Sequence, residues 1–521
     1  MEVKKDMTNA TTGGTHMETS MPAVGKYKGA PGKVAETAID KINSEMYYGF
    51  VVEKLSRDLQ SKYDDESQKG DTMNGKERII NLLKKQKVDQ VPWVPFAGVH
   101  AGKLKGYSAK EVLQDKDKLV ESLLEVKKIY QPDGMPVVFD LQIEAEILGC
   151  ELLWADNNPP SVKSHPLAQT KDIPSKIPSK TDGRLPMILE AMREVKEKVG
   201  NDTALYGLFT GPLTLASHLR GQSFFMDMAM DPEYCKNLLK YSAQVAKAMC
   251  DYFIEAGMDI ISVVCPLVSQ VSPKQFNALL LEPYKEVFDH IRGKGVLSSF
   301  FVCGNAGPNI ENMCKTNPDS ISVDENIDMV KAKEITDKYD IVIGGNIPLT
   351  TVMLHGTQQD NMKYIVDLLD QVSHDRLIIA PGCDMPYDLP IENSIAVQTA
   401  IRDTEKAREI IKDYTAVEEN PIEITLPDYK NLKKPFVEVF TLDSISCAAC
   451  TYMMGAAMDA KEHFGDTIDV IEYKFTEKAS IARCKKMGVG KLPSIYINGE
   501  LAYSSIIPGR EELFSKIKAL L

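Results

Sequence analysis

Three of the ten cysteines in this chain stand where short apolar runs end: Cys265 closes DIISVVC, Cys303 closes VLSSFFVC and Cys383 follows LIIAPG. Two more, Cys447 and Cys450, form a Cys-Ala-Ala-Cys tetrad between the run FVEVFTLDS and a helical pattern. Thiolates at separate strand ends are donors that zinc accepts in a tetrahedral shell, and three of them leave one position open for a reacting sulfur. A free thiol is mostly protonated at neutral pH, whereas the thiolate is the nucleophile; a metal that removes the proton and fixes the sulfur makes it an attacking group. Cys265, Cys303 and Cys383, three thiols at strand ends, are therefore candidates for such chemistry. Two thiols one turn apart at a helix start do different work: Cys447, under the helix dipole, attacks, and Cys450 resolves. The alternative reading of that tetrad is a metal site, against which stands the lack of a second such tetrad or a nearby histidine.

Polar residues end the other apolar runs: Asp140 after MPVVF, Thr210 after TALYGLF, Asp324 after SISV and Asn346 after IVIGG. Asp140 is placed with the catalytic residues, and Glu144, Glu146 and His100 are further oxygen or nitrogen donors; each is also explained as an ordinary strand-end group. Cys235, Cys250 and Cys314 fall in helix-like stretches and Cys484 on a later helix, where a free cysteine packs as a small hydrophobe.

Bringing these groups together is the task of the elements. From Asn74, which caps the helical pattern KERIINLLKKQ, to about residue 412, β-branched runs alternate with amphipathic helices. That alternation implies parallel strands. Seven or eight such units fit a (β/α)8 barrel, whose reactive residues sit at the C-terminal ends of its strands. No glycine-rich phosphate loop follows any strand. Residues 1–73 read as a mobile terminus plus a helical appendage, 413–434 as a linker rich in proline and charge, and 435–521 as a second, small α/β domain. Its order strand, Cys-Ala-Ala-Cys helix, strand, helix, two strands and helix, with Pro493 in Lys-Leu-Pro-Ser facing the thiols, is that of a thioredoxin-like domain.

At 521 residues, two or more domains are the default. A net charge of −13 argues against nucleic acid and anionic membranes as partners. No apolar run is long enough to span a bilayer, and the polar start MEVKKDMTNATTGG lacks a signal-peptide core, so a cytoplasmic location is expected. So few cysteines, irregularly spaced, are not a disulfide scaffold.

FVCGN, SVDENID, GGNIPLTTVMLHGT, APGCDMPYDLPIEN, GLFTGPLTLASHLRG and FDLQIEAEILGC, in this order of interest, resemble the uroporphyrinogen-decarboxylase superfamily. Within it they resemble the methylcobamide:coenzyme M methyltransferase branch, over roughly residues 74 to 412. The resemblance implies a (β/α)8 barrel with a catalytic zinc and methyl transfer from a methylcobamide, carried by a corrinoid protein, to a small thiol acceptor in anaerobic one-carbon metabolism. It matches the family's cysteines to Cys303 and Cys383 and places Asn305, Asn346 and Asp384 at the cofactor. The family carries His-x-Cys at the first position; here Phe301-Val302-Cys303 stands instead, and Cys265 is the expected replacement ligand. Porphyrinogen decarboxylation needs arginines for many carboxylates, and between Arg78 and Arg184 there are none. Two other readings stay open: a thiol–disulfide oxidoreductase whose barrel is a corrinoid- or ligand-binding platform without metal, and a non-catalytic scaffold.

Overall fold

A computed structural model of the chain describes residues 72–415, 422–445 and 447–521. The terminus and appendage expected over 1–73 lie almost wholly outside the described residues. Asn74 caps the helix Gly75–Leu83 as expected, its side chain accepting the Glu77 N–H (2.9 Å) while Glu77 accepts the Asn74 N–H (3.0 Å).

Seven strands follow: β1 Gly134–Val138, β2 Ala204–Thr210, β3 Ile260–Val264, β4 Leu297–Val302, β5 Ser320–Val323, β6 Val342–Ile347 and β7 Leu377–Pro381. They pair in sequence order and every pairing is parallel. Helices cross between successive strands, so both faces of the sheet are covered and the β-branched runs are buried throughout. The eighth position belongs to Pro92–Val94. Val94 donates to the Ile379 carbonyl (3.0 Å), and Asp133 and Gly134 donate to that of Trp93 (2.9 and 3.4 Å), so this segment joins β7 to β1. It forms an isolated bridge at Trp93 rather than a full strand, because Pro92 and Pro95 have no N–H to give a ladder. The fold is thus TIM-barrel-like, with seven regular strands where eight were expected. Asp133 braces the seam, accepting the Trp93 N–H (2.7 Å) and pairing with the buried Arg78.

The barrel interior is one buried cluster. Ile79, Leu82 and Leu83 close one end, Phe96, Phe139 and Phe301 fill the middle, and Cys303 and Cys383 pack at the margin. Phe301 is fully enclosed, with its ring 4.7 Å from that of Phe96 and 5.9 Å from that of Phe139.

The C-terminal residues form a second sheet from β8 Phe436–Thr441, β9 Asp469–Lys474, β10 Ser494–Ile497 and β11 Glu500–Ser504, in the order β9-β8-β10-β11. β8 and β9 run parallel, while β10 is antiparallel to β8 and to β11. The helices Ala448–Phe464 and Arg510–Lys518 pack on one face around Val437, Val439, Met453, Ile495 and Leu513. Cys484, on the helix Lys478–Met487, is buried with Phe440 and Tyr496. Among the described residues, no helix is long and apolar enough to cross a membrane.

Candidate functional site

β4 and β7 each end in a glycine-containing turn that presents a sulfur. After Cys303 the chain turns at Gly304, whose φ of +86° and closeness to Ser269 (an added Cβ would lie 3.0 Å from its Oγ) suit glycine alone. Before Cys383, Gly382 lies against the backbone of the next loop, where a Cβ would sit 2.8 Å from the Glu325 nitrogen. These turns bring Cys303 and Cys383 together as a disulfide with Cα atoms 5.7 Å apart. Two of the three expected ligands are therefore adjacent, at the C-terminal ends of their strands.

Cys265 is not with them. Val264 pairs in register with Phe301, and both point into the barrel; one residue later each chain points the other way. The Cys265 sulfur instead meets the Tyr284 hydroxyl (2.6 Å) and the Thr214 hydroxyl (3.1 Å), beyond the barrel wall. Burial pushes its thiol pKa up, so it stays protonated. Among the described residues, no group of three or more His, Cys, Asp or Glu is placed to hold a metal ion. A catalytic zinc takes three protein ligands and an open position, and two cysteines above a phenylalanine, with Cys265 turned elsewhere, supply only two donors. The three-cysteine zinc centre expected from the sequence does not fit this donor set.

The other expected residues divide between wall and scaffold. Asp384 lines the cavity above the sulfur pair, and burial holds its carboxyl well above the usual carboxylate range, against the N–H groups of Gly98, Met385 and Val99. Asp324 lines it too, raised by burial although it accepts the Asn326 N–H (2.8 Å). Asp140 is fully buried and paired with Arg184 (2.7 Å), which also holds Glu146 (2.8 Å). Asn346 spans β6 and its neighbours, donating to the Asp324 and Ile327 carbonyls (3.2 and 2.8 Å) and accepting the Tyr364 hydroxyl (2.9 Å). Asn305 accepts the Gly307 N–H (3.3 Å) within its turn. His100 lies between the Tyr387 carbonyl (2.9 Å) and the Tyr130 hydroxyl (2.6 Å), kept neutral by burial. Asp140, Asn346, Asn305 and His100 are thus each engaged by other groups of the protein.

Thr214 and His218 were not singled out from the sequence. They lie one turn apart on the helix Pro212–Arg220 and both line the cavity. Burial, and then the neighbouring His165, drops the His218 pKa to about 3, so it offers a neutral imidazole. Their spacing immediately after a strand end was the available signal.

The far wall of the cavity comes from the C-terminal sheet. Leu442, Cys447, Cys450, Leu492 and Pro493 face the same space of about 160 Å³ as Cys303 and Cys383. Cys447 caps the helix Ala448–Phe464, its sulfur accepting the Cys450 N–H (3.4 Å), and is partly open. Cys450 is buried, accepts the Leu442 N–H (3.3 Å), and has its thiol pKa pushed well up by burial. The helix packs on Pro266–Gln270 of the barrel. Tyr452 is held between the rings of His165 and Phe225 (6.2 and 5.9 Å), and Gln222 donates to its carbonyl (3.1 Å). His355 meets the Thr476 carbonyl at 2.9 Å.

Residues 74–404 match the family model described as uroporphyrinogen decarboxylase (URO-D). The chain is 28% identical over 326 residues to the methylcobamide:CoM methyltransferase MtbA of Methanosarcina acetivorans, covering 61% of this chain and 94% of that protein. It is 26% identical over 305 residues to the uroporphyrinogen decarboxylase of a Wolbachia from Brugia malayi, covering 57% and 84%. A solved methyltransferase from Methanosarcina mazei shares the fold, with a TM-score of 0.60 at 23% identity over 64% of this chain and 99% of that one. Motif order, barrel and family match agree, and the chain belongs to the uroporphyrinogen decarboxylase (URO-D) family.

Proposed function

We propose that the barrel moves a methyl group from a methyl-corrinoid, carried by a partner protein, to a small thiol. The C-terminal residues are then a thioredoxin-like thiol–disulfide unit. The observation that carries the first part is the sulfur pair at the C-terminal strand ends of a barrel whose relatives include proteins named methylcobamide:CoM methyltransferases. The strand order, the helix-capping Cys447 and its neighbour Pro493 support the second. Methyl transfer needs a sulfur lone pair aimed along the cobalt–carbon bond; the sulfur gains the methyl and the leaving metal keeps the electron pair. Because zinc does not fit the donor set, no step is assigned to it. What this chain supplies is a cavity of thiol size with apolar walls at Val99, Phe139 and Leu141 and polar groups at Gln142, Thr214 and His218.

Charge narrows the acceptor. No lysine or arginine lines the cavity among the described residues, whereas Asp324 and Asp384 do. A sulfonated thiol or a polycarboxylate would meet no counter-charge there. The acceptor is a neutral thiol, and porphyrinogen decarboxylation is the poorer match.

The test uses the full chain, reduced under anaerobic conditions, with methylcobalamin and a panel of thiols, reading cobalt–methyl absorbance and thioether by mass spectrometry. A neutral thiol such as 2-mercaptoethanol is expected to be methylated faster than a sulfonated one. No acceleration over the uncatalysed reaction with any thiol would remove the methyltransferase reading. Four sulfurs on one cavity favour a second reading, a thiol–disulfide oxidoreductase with a ligand-binding barrel, which keeps redox activity when methyl transfer is absent.

A further inference from the structure

The cavity holds a disulfide on one wall and a dithiol on the other. Cys303 and Cys383 are joined; Cys447 and Cys450 are free, and all four line the same space. We infer that the two pairs exchange within one chain, the Cys447/Cys450 dithiol reducing the Cys303–Cys383 disulfide to deliver two barrel thiols.

Cys447 is the group suited to start. It is partly open to the cavity, whereas Cys450 is buried behind it under the Leu442 N–H. The Cys447 thiolate, having lost its proton to solvent, attacks Cys303 or Cys383. The barrel S–S bond breaks, and a mixed disulfide forms as the other barrel sulfur leaves with the electron pair and takes a proton. Cys450 then loses its proton and attacks the Cys447 sulfur, closing a Cys447–Cys450 disulfide and freeing the second barrel sulfur as a thiol. Two electrons pass from the C-terminal pair to the barrel pair, and no outside oxidant or reductant is consumed in the single exchange.

The arrangement favours exchange over reduction by an outside protein. The helix Ala448–Phe464, which carries the dithiol, already packs on Pro266–Gln270 of the barrel. Holding both pairs on one cavity makes the encounter unimolecular. The interface that seats them is specific: Gln222 reads the Tyr452 carbonyl, and a Cβ at Gly455 would fall 2.5 Å from the Gln222 amide.

The relay rests on the redox reading of Cys447 and Cys450, not on methyl transfer. Its test is non-reducing peptide mapping of the full chain carrying Cys450→Ser, which cannot resolve the mixed disulfide. Most chains are expected to carry Cys447 linked to Cys303 or Cys383, in a yield independent of protein concentration. A free Cys447 beside an intact Cys303–Cys383 bond overturns the relay. Wild-type protein, quenched in acid during limited reduction with dithiothreitol, serves where that variant misfolds. Barrel thiols should appear at least tenfold faster than in Cys447→Ser, and equal rates overturn the proposal. A Cys303→Ser/Cys383→Ser variant in glutathione redox buffer separates the failures. Where the preceding tests have failed, a Cys447–Cys450 disulfide forming there leaves the redox reading standing and the relay alone falls, whereas its absence removes both.

Discussion

β4 turns Phe301 and Cys303 to the same side, two residues apart, so a side chain at 301 lies next to the sulfur pair on the barrel side. With phenylalanine there, the space below the sulfurs is an aromatic stack with no donor. Phe301→His is expected to raise zinc content of the reduced protein towards one ion per chain, with the wild type well below that, as read by elemental analysis. Loss of a buried ring should also cost about 2–4 kcal/mol in chemical denaturation. Zinc no higher than in wild type would show that the pair cannot be completed from this position. That Cys303 and Cys383 come together was legible only through the family resemblance of the motifs Phe-Val-Cys-Gly-Asn and Ala-Pro-Gly-Cys, which marked them as co-ligands and not as a disulfide. The place of Cys265 was not: strand-end position is visible in a sequence, but which face a residue takes depends on register, and one residue reverses it. Its sulfur anchors two hydroxyls, so Cys265→Ala is expected to cost about 1–3 kcal/mol while leaving thiol exchange at wild-type rate.

Among the elements, β2 and the short helix Ile143–Ile147 meet through a carboxyl. Glu144 accepts the Thr210 N–H (3.1 Å) deep in the wall, with Asp140 nearby, and burial raises its pKa to about 8. The native state therefore binds a proton at Glu144 that the unfolded chain, with an ordinary carboxyl, has already released above about pH 4.5. The contribution is fully present at acid pH below that value and is lost as pH rises towards 8. Thermal unfolding followed between pH 5 and 9 should show falling stability, on the order of 3 kcal/mol across the range. Glu144→Gln keeps the acceptor and should lessen that slope, the buried carboxyls of Asp324, Glu325 and Asp384 supplying the remainder; an unchanged slope would place the titration wholly on those groups. At this scale alternation of helices and parallel strands was readable, since both-face burial demands continuous apolar runs. Whether the units number seven or eight was not readable, because an apolar run containing Pro92 and Pro95 has the hydropathy of a strand without its hydrogen-bond donors.

For the molecule as a whole, the position of the C-terminal sheet over the barrel mouth is the feature no local pattern announces. Thiol pair and strand order could each be read along the chain, but docking depends on side chains distant in sequence, with Tyr452 seated between His165 and Phe225. The consequence is a conflict of access. A cavity of about 160 Å³ admits a small thiol but falls short of the ~300–1,000 Å³ of larger ligand pockets, and a corrin ring is larger than such a thiol. A methyl-corrinoid can reach the barrel sulfurs only when the helix Ala448–Phe464 withdraws, whereas disulfide exchange needs it in place. Tyr452→Ala, which weakens the seat, should move the two reactions oppositely. Methyl loss from methylcobalamin by chemically pre-reduced protein should rise several-fold, while appearance of barrel thiols during limited reduction should slow by a similar factor. Both rates are measurable on the same preparation, by cobalt–methyl absorbance and by acid-quenched thiol mapping. A fall in both would mark Tyr452 as a support of the barrel itself, and no change in either would mean that the docked sheet does not control entry to the mouth.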